Sequence, residues 1–156
     1  IGLKAKHIVE KGSLVPDDIM IEIVYKALKE NLDGKSGFIL DGFPRTYEQA
    51  VELNRIFEKM GIKEVEIVYL KTTEDEIVER LLKRGRIDDT EEIIRKRLKV
   101  YGKETSRVLD YYKNNTKILE INGLGEIEEI NGKILKLLQN WGLWKNIYHY
   151  IIEINI

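Results

Sequence analysis

The sequence contains no cysteine among its 156 residues. This excludes disulfide bonds and thiolate metal sites, and it is compatible with a reducing compartment. No apolar run approaches the roughly 20 residues that span a bilayer, and no secretory signal pattern leads the chain, so we expect a cytoplasmic protein without a membrane partner.

Neither sign of charge is in excess, since 26 basic and 27 acidic residues leave a formal net charge of −1. This balance argues against a nucleic-acid-binding surface across the whole protein, although a local anion pocket remains open.

Helix-like and strand-like segments alternate along a chain whose length fits one domain. We predict helices over residues 3–12, 46–60, 73–84 and 126–140, and a further helix that begins at a cap on Asp17 or Asp18. A long helix carries six residues on one face: Ile94, Leu98, Tyr101, Thr105, Val108 and Tyr112. We predict strands over residues 37–40, 65–70 and 117–121. Strands separated by helices need crossover connections, which indicates an α/β fold with a parallel sheet covered on both faces.

The segment FILDGFPRTYEQA, residues 38–50, places a carboxylate and a guanidinium in one loop after a strand. Ligands of parallel sheets bind beyond the carboxyl ends of the strands, where Asp41 would lie. Gly42 allows a close approach of the backbone to a ligand, and Pro44 stiffens the loop that presents Arg45. Because guanidinium binds phosphate and a carboxylate can hold the water shell of Mg²⁺, the loop suits a metal–phosphate substrate. An Asp41–Arg45 ion pair that only fixes the turn is the alternative.

Gln49 has two interpretations. Thr46 and Gln49 have the spacing of a capping box, in which the Gln49 side chain would accept the backbone N–H of Thr46. Alternatively, the amide of Gln49 offers both a donor and an acceptor to the edge of a nucleobase. The spacing alone does not choose between them.

A second cluster of chemistry-bearing residues is basic and consists of Arg80, Arg84, Arg86 and Arg97. One interpretation is a solvated face of ion pairs with the neighbouring acids Glu79, Asp88, Asp89, Glu91 and Glu92. Another is phosphoryl transfer, in which several arginines stabilise charge on the transferring group. A nucleic-acid patch ranks third, since the cluster is short and acids surround it.

Four segments in order resemble the adenylate kinases, within the nucleoside monophosphate kinase family. FILDGFPRTYEQA resembles the family signature, and KGSLVPDDI (11–19) resembles its AMP-holding segment. ERLLKRG with RIDDTEEIIRKRL resembles its lid region, and LEINGLGEIEEI (119–130) its late strand and adenine-side loop. Thr46 and Gln49 favour adenylate kinases over the pyrimidine kinases of the family.

The resemblance implies a role for each matching residue. AMP binding would involve Ser13, Leu14, Val15, Gly42, Phe43, Pro44, Arg45, Gln49, Arg86 and Arg97. ATP binding would involve Arg80, Arg84 and Gly125. Catalytic charge stabilisation would fall to Arg45, Arg84, Arg86 and Arg97, and Asp41 would orient Mg²⁺ through water.

The implied reaction is MgATP + AMP ⇌ 2 ADP, with ATP, AMP and ADP as partners, Mg²⁺ as cofactor and no structural zinc. The implied fold is a three-layer P-loop-kinase-like sheet flanked by helices. We expect one domain over residues 1–140, with an AMP-binding part at 1–33, a short lid at about 84–89 and an unassigned tail at 141–156.

The family opens with a strand, central in its sheet between those that match residues 37–40 and 65–70, and with a phosphate loop of the frame G-x-x-x-x-G-K-[ST]. This sequence contains neither, so we expect a sheet with its first strand missing. The chain also begins at Ile1 rather than Met, so we expect an amino-terminally incomplete adenylate kinase with impaired activity. A non-catalytic AMP-binding module and a partner-dependent fragment stay open as alternatives.

The tail should be partly extended, because YHYIIEI (148–154) is rich in aromatic and β-branched residues. His149 and Glu153 argue against a buried central strand. We therefore expect an added outer strand, or self-association through the open edges of the incomplete sheet, rather than a filled centre.

Overall fold

A computed structural model describes residues 15–32, 37–63, 65–140 and 149–155. These residues form five helices and four strands: α1 (Asp17–Asn31), β1 (Gly37–Asp41), α2 (Tyr47–Met60), β2 (Val65–Lys71), α3 (Glu74–Arg84), α4 (Glu91–Lys113), β3 (Ile118–Asn122), α5 (Ile127–Asn140) and β4 (His149–Asn155). The predicted helix over residues 3–12 lies outside the described residues, as do Ser13 and Leu14. None of the described helices has both the length and the apolar character that a bilayer span requires.

The four strands form one parallel sheet in the order β1-β4-β2-β3. The register pairs Leu40 with Ile152, and Ile152 with Ile67, so these three residues lie in one row across the sheet. On the other side of β2, Ile67 pairs with Ile118 of β3. The predicted α/β class and parallel sheet are confirmed, and the three predicted strands coincide with β1, β2 and β3 to within one residue at each end.

Helices pack on both faces of the sheet because successive residues of a strand point to opposite sides. Ile67 of β2 belongs to a core formed with side chains of α1, α2 and α4, namely Val24, Leu28, Leu53, Phe57, Val108 and Tyr112. The next residue, Val68, belongs to a core on the other face with Leu119 and Ile121, against which α5 packs. A third cluster, around Ile77 and Ile94, joins α3 to α4.

Threonine side chains begin three of the helices. Thr46, Thr73 and Thr90 accept the backbone N–H three residues later, at O···N distances of 3.2, 3.3 and 3.4 Å, which satisfies one of the free donors of each first turn. The predicted cap of α1 by Asp17 or Asp18 is wrong. Pro16 occupies the N-cap position and makes no side-chain cap bond, so Asp17 is the first helical residue and its carboxylate bonds elsewhere.

The expected position of the tail is also wrong. Residues His149–Asn155 are extended as predicted, but they lie between β1 and β2 rather than at an outer edge. A strand in this position pairs with backbone groups on both sides, and these groups would otherwise lack partners inside the sheet. The backbone hydrogen bonds gained at the centre of the sheet therefore stabilise β4 there, even though His149 and Glu153 are polar. With β4 in place, the four described strands leave no central gap through which copies could associate.

We predict that Ile152→Pro destabilises the protein far more than Ile152→Val. Proline removes one N–H from a strand that is paired on both sides and orphans its acceptor, which should cost about 2–4 kcal/mol. Valine keeps that N–H and should cost about 1 kcal/mol or less. Urea unfolding followed by circular dichroism measures both variants. Equal, small losses of unfolding free energy would contradict a central position for β4.

Candidate active site at the carboxyl edge of the sheet

The loop after β1 is anchored by apolar residues and presents charged ones. Asp41 ends β1 and is exposed, as is Arg45, whereas Phe43 and Pro44 between them are buried. The Phe43–Pro44 peptide bond is cis, and Gly42 has a φ of +68°. Arg45 Nε donates to the carbonyl oxygen of Gly42 at 2.7 Å. A Cβ on Gly42 would lie 2.9 Å from Arg45 Nη2, so a side chain there would displace the guanidinium.

The amide of Gln49 is held on both sides by an arrangement that we call the amide lock. It consists of Asp17, the backbone N–H of Arg45, Thr46 and Gln49. Gln49 Oε1 accepts the Arg45 N–H at 2.8 Å, and Gln49 Nε2 donates to Asp17 Oδ1 at 2.7 Å. Thr46 Oγ1 donates to Asp17 Oδ2 at 3.0 Å. Gln49 is only 2% exposed, so these bonds orient a buried side chain.

The capping interpretation of Gln49 is therefore half correct. Thr46 does accept the backbone N–H of Gln49, as a capping box requires. The reciprocal bond differs, because the Gln49 side chain takes the N–H of Arg45 rather than that of Thr46. Asp17 was not assigned to the site from the sequence. Its partners lie 29 and 32 residues away, so no local pattern pointed to them.

The corner between α3 and α4 is organised around a buried carboxylate. Arg84 donates to Asp89 through Nε at 2.9 Å and through Nη2 at 2.7 Å, and the backbone N–H of Arg86 donates to Asp89 Oδ2 at 3.1 Å. The side chain of Asp89 is fully buried. The Arg84 guanidinium holds the pKa of Asp89 at about 2, well below its ordinary value. Gly85, with a φ of +67°, ends α3 and turns the chain into this corner.

A second ion pair lies beside the first. Arg97 Nη2 donates to Asp88 Oδ2 at 2.6 Å, and both side chains are about one quarter exposed. The hydrogen bond from Arg97 lowers the pKa of the Asp88 carboxyl. Asp88 and Asp89 are thus partners of the basic cluster, as the ion-pair interpretation held. Two of the other proposed partners pair elsewhere, Glu79 with Lys83 and Glu91 with Arg95.

Arg80 joins α3 to the loop after β3. Its Nε donates to Glu76 Oε1 at 2.6 Å and its Nη2 donates to the carbonyl oxygen of Gly125 at 2.9 Å. The same loop is tied to the end of β2, because the N–H of Gly123 donates to the carbonyl oxygen of Lys71 at 2.8 Å. Arg80 and Gly125, which come from distant parts of the sequence, therefore meet at the carboxyl edge of the sheet.

Tyr101 lies on α4 near the loop after β1. Burial raises the pKa of Tyr101 to about 12, and its phenol lies close enough to Arg45, Tyr69 and Asp41 for their charges to affect it. Arg97 precedes Tyr101 by one turn of α4, an axial distance of about 6 Å. The sequence pattern placed Tyr101 on the apolar face of this helix and missed its proximity to the site.

In the part of the chain that the structure describes, no three histidine, aspartate or glutamate side chains gather as a ready-made metal site. A Mg²⁺ ion bound mainly by phosphates and waters needs only one or two protein carboxylates. Asp41, exposed at the end of β1, fits that limited role.

Together, the fold and this edge define an α/β protein with charged loops beyond the carboxyl ends of parallel strands, the place where ligands of open parallel sheets bind. A sequence model of the family described as adenylate kinase matches residues 1–117. The chain is 44% identical over 134 residues to adenylate kinase 1 of a Nostoc species, covering 86% of this chain and 72% of that protein. It is 45% identical over 138 residues to the adenylate kinase of Corynebacterium glutamicum strain R, covering 88% of this chain and 75% of that protein. It is 44% identical over 140 residues to the adenylate kinase of Leptospira biflexa, covering 87% of this chain and 75% of that protein.

The chain belongs to the adenylate kinase family. The resemblance found in the four sequence segments is thereby confirmed. Family membership supports the classification as a nucleoside monophosphate kinase, a phosphotransferase that uses adenine nucleotides with Mg²⁺.

We predict that Asp89→Asn destabilises the protein near neutral pH and that this difference fades in acid. A carboxyl whose folded pKa is lowered to about 2 contributes stability above its unfolded pKa of about 4. That contribution is lost as pH falls from about 4 towards 2. Urea midpoints of the variant and the unmodified protein at pH 7, 4 and 2.5 measure the effect.

The matched control is Glu58→Gln, which neutralises an exposed acid at the end of α2. We expect a small change in its midpoint at every pH. If the difference between the Asp89→Asn variant and the unmodified protein stayed constant from pH 7 to 2.5, the ionised pair with Arg84 would not be its source.

Proposed function

We propose that the carboxyl edge of this sheet is the nucleotide site of an adenylate kinase, organised for the reversible reaction MgATP + AMP ⇌ 2 ADP. The observation that carries the proposal is the convergence of two charged loops on one edge. The Asp41–Arg45 loop follows β1, and Arg80 of α3 contacts the loop after β3, so both charged groups lie beyond the carboxyl ends of strands, in a chain of this family.

The AMP side of the site consists of the loop after β1 and the start of α1. The exposed guanidinium of Arg45 would bind the phosphate of AMP, since guanidinium and phosphate match in charge and geometry. Gln49 would contact the adenine base, and Val15 with Gly42, Phe43 and Pro44 would line the pocket. Val15 is 8% exposed and lies just before α1, which suits a wall of this pocket. Ser13 and Leu14 would complete it.

The phosphoryl-transfer side consists of the α3–α4 corner. Arg84 uses two of its five N–H donors on Asp89, so three remain for phosphate oxygens. Arg86 and Arg97 would complete a clamp around the transferring group, and Arg80 with Gly125 would face the adenosine of ATP. The arginines stabilise charge that develops during in-line transfer, and no covalent enzyme intermediate is needed.

When bound with ATP, Mg²⁺ would bridge phosphate oxygens and neutralise part of their charge. Asp41 would hold one of the coordinated waters through its exposed carboxylate. We place the AMP-binding part within residues 1–33 and the short lid at about 84–89, in one domain that also includes β4 and that we assign to the cytoplasm.

We predict that Arg45→Ala weakens AMP binding by about 1.5–3 kcal/mol, a factor of roughly 10 to 150 in Kd. The reason is the loss of charge-assisted hydrogen bonds to the phosphate. Isothermal titration calorimetry with AMP measures it. The control is Arg55→Ala, which removes an exposed guanidinium of α2 that pairs with Glu52 on the same helix.

Arg55→Ala should leave the Kd for AMP within twofold of the unmodified protein. If the two variants bound AMP equally well, Arg45 would not be the phosphate ligand. The unfolding temperatures of both variants show whether they are folded, so that a loss of AMP binding is not caused by unfolding.

We predict that the 156-residue chain forms ADP from ATP and AMP at a rate near background. The sequence contains no glycine-rich lysine frame to cradle the β- and γ-phosphates, and arginine side chains do not replace that cradle. A coupled assay for ADP measures the rate. Turnover above about 1 per second, typical of kinases, would contradict the prediction.

Separate titrations with AMP and with ATP distinguish the remaining functions. Binding of both nucleotides supports a phosphotransferase site, whereas binding of AMP alone indicates an AMP-binding module. Binding of neither nucleotide indicates a fragment that needs a partner, and it would overturn the proposed site in this chain.

A further inference from the structure

Asp17 joins two elements that are far apart in sequence. It is the first residue of α1, yet its carboxylate accepts hydrogen bonds from the side chains of Thr46 and Gln49 at the start of α2. Both partners are buried, Thr46 at 8% and Gln49 at 2% exposure. The neighbouring Asp18 carries the same charge in the same helical turn and contacts neither of them in these hydrogen bonds. This contrast makes Asp17 the acid of the first turn that contacts the candidate nucleotide site.

The two partners of the Gln49 amide are of opposite type. An ionised carboxylate only accepts hydrogen bonds, so Asp17 must face the amide nitrogen. A backbone N–H only donates, so that of Arg45 must face the amide oxygen. Rotating the amide by 180° would place its oxygen against the Asp17 carboxylate and its N–H against the Arg45 N–H. The amide lock therefore selects one orientation of Gln49 chemically, and it leaves one N–H and one oxygen lone pair for a ligand.

We propose that Asp17 is a positioning residue that fixes the orientation of the Gln49 amide and so sets the preference for a 6-amino over a 6-oxo purine monophosphate. The proposal rests on the proposed function, in which Gln49 contacts the AMP base. Adenine presents a donor at its 6-amino group and an acceptor at N1. Hypoxanthine, nearly identical in shape, presents an acceptor and a donor at the same places. An amide held in one orientation complements only one of these patterns, whereas an amide free to rotate accommodates both.

The variant that tests this role is Asp17→Asn. An asparagine side chain of the same shape can turn either its oxygen or its nitrogen towards Gln49, so the amide orientation is then favoured by the Arg45 N–H alone. The matched control is Asp18→Asn, which removes the same charge from the same helical turn. Calorimetric titration of each protein with AMP and with inosine monophosphate gives the ratio of the two dissociation constants.

We expect Asp17→Asn to lower the preference for AMP over inosine monophosphate by about tenfold, the size of one hydrogen bond to a charged group. Asp18→Asn should leave the ratio within twofold. In a Gln49→Ala background, Asp17→Asn should not change the ratio further, because the residue acts through the amide. Thermal unfolding identifies any variant that fails to fold. If Asp17→Asn does not fold, Asp17→Ala, which removes the contact with the Gln49 amide altogether, replaces it in the same comparison.

The outcomes separate the two proposals. If the unmodified chain does not bind AMP, the proposed function fails, and this inference fails with it. If the unmodified chain prefers AMP but Asp17→Asn keeps that preference, only the role of Asp17 is overturned. Equal losses of preference in Asp17→Asn and Asp18→Asn would also overturn it, since a general effect of charge at the start of α1 would then be the cause.

Discussion

Backbone pairing of β4 with both of its neighbours sets the spacing and register of the central strands. Neighbouring strands lie about 4.8 Å apart, so β4 sets β1 and β2 about 10 Å from one another. The register also aligns Asp41, Glu153 and Val68 in one row. Because β2 continues for three residues beyond that row, its end lies about 10 Å further along. The loop after β1 therefore lies beside strands that extend further than β1. This difference in length leaves space at the carboxyl edge of the sheet, where a ligand can bind.

Carboxylates hold three arginines of the basic cluster in place. Asp89 holds Arg84, Asp88 holds Arg97, and Glu76 holds Arg80. Each pair restricts a long, flexible side chain, which lowers the conformational entropy that ligand binding would otherwise cost. The pairs also limit repulsion between neighbouring guanidiniums, and a guanidinium has five N–H donors, more than one carboxylate can take. The ion-pair and phosphate-binding interpretations of the basic cluster are therefore compatible.

Local features of the fold were predictable because their physical causes lie within a few residues. The caps at Thr46 and Thr73 follow from side chains that reach an N–H three residues away. The α1 cap was mispredicted because Pro16 took the position that either aspartate could have filled. Similarly, the Gln49 side chain accepts the N–H of Arg45 rather than that of Thr46, because Asp17 holds the nitrogen of the same amide.

The alternation of helices and strands, the charged loop after β1 and the family are legible in the amino-acid order, since periodicity and short motifs encode these features directly. Which strand lies at the centre of the sheet, and which acids pair with which arginines, followed from the packing of the folded chain. It also brought Asp17 to Gln49 and Arg80 to Gly125, across 32 and 45 residues. Such contacts depend on the packing of whole elements, and many polar partners would satisfy the same side chain until that packing selects one.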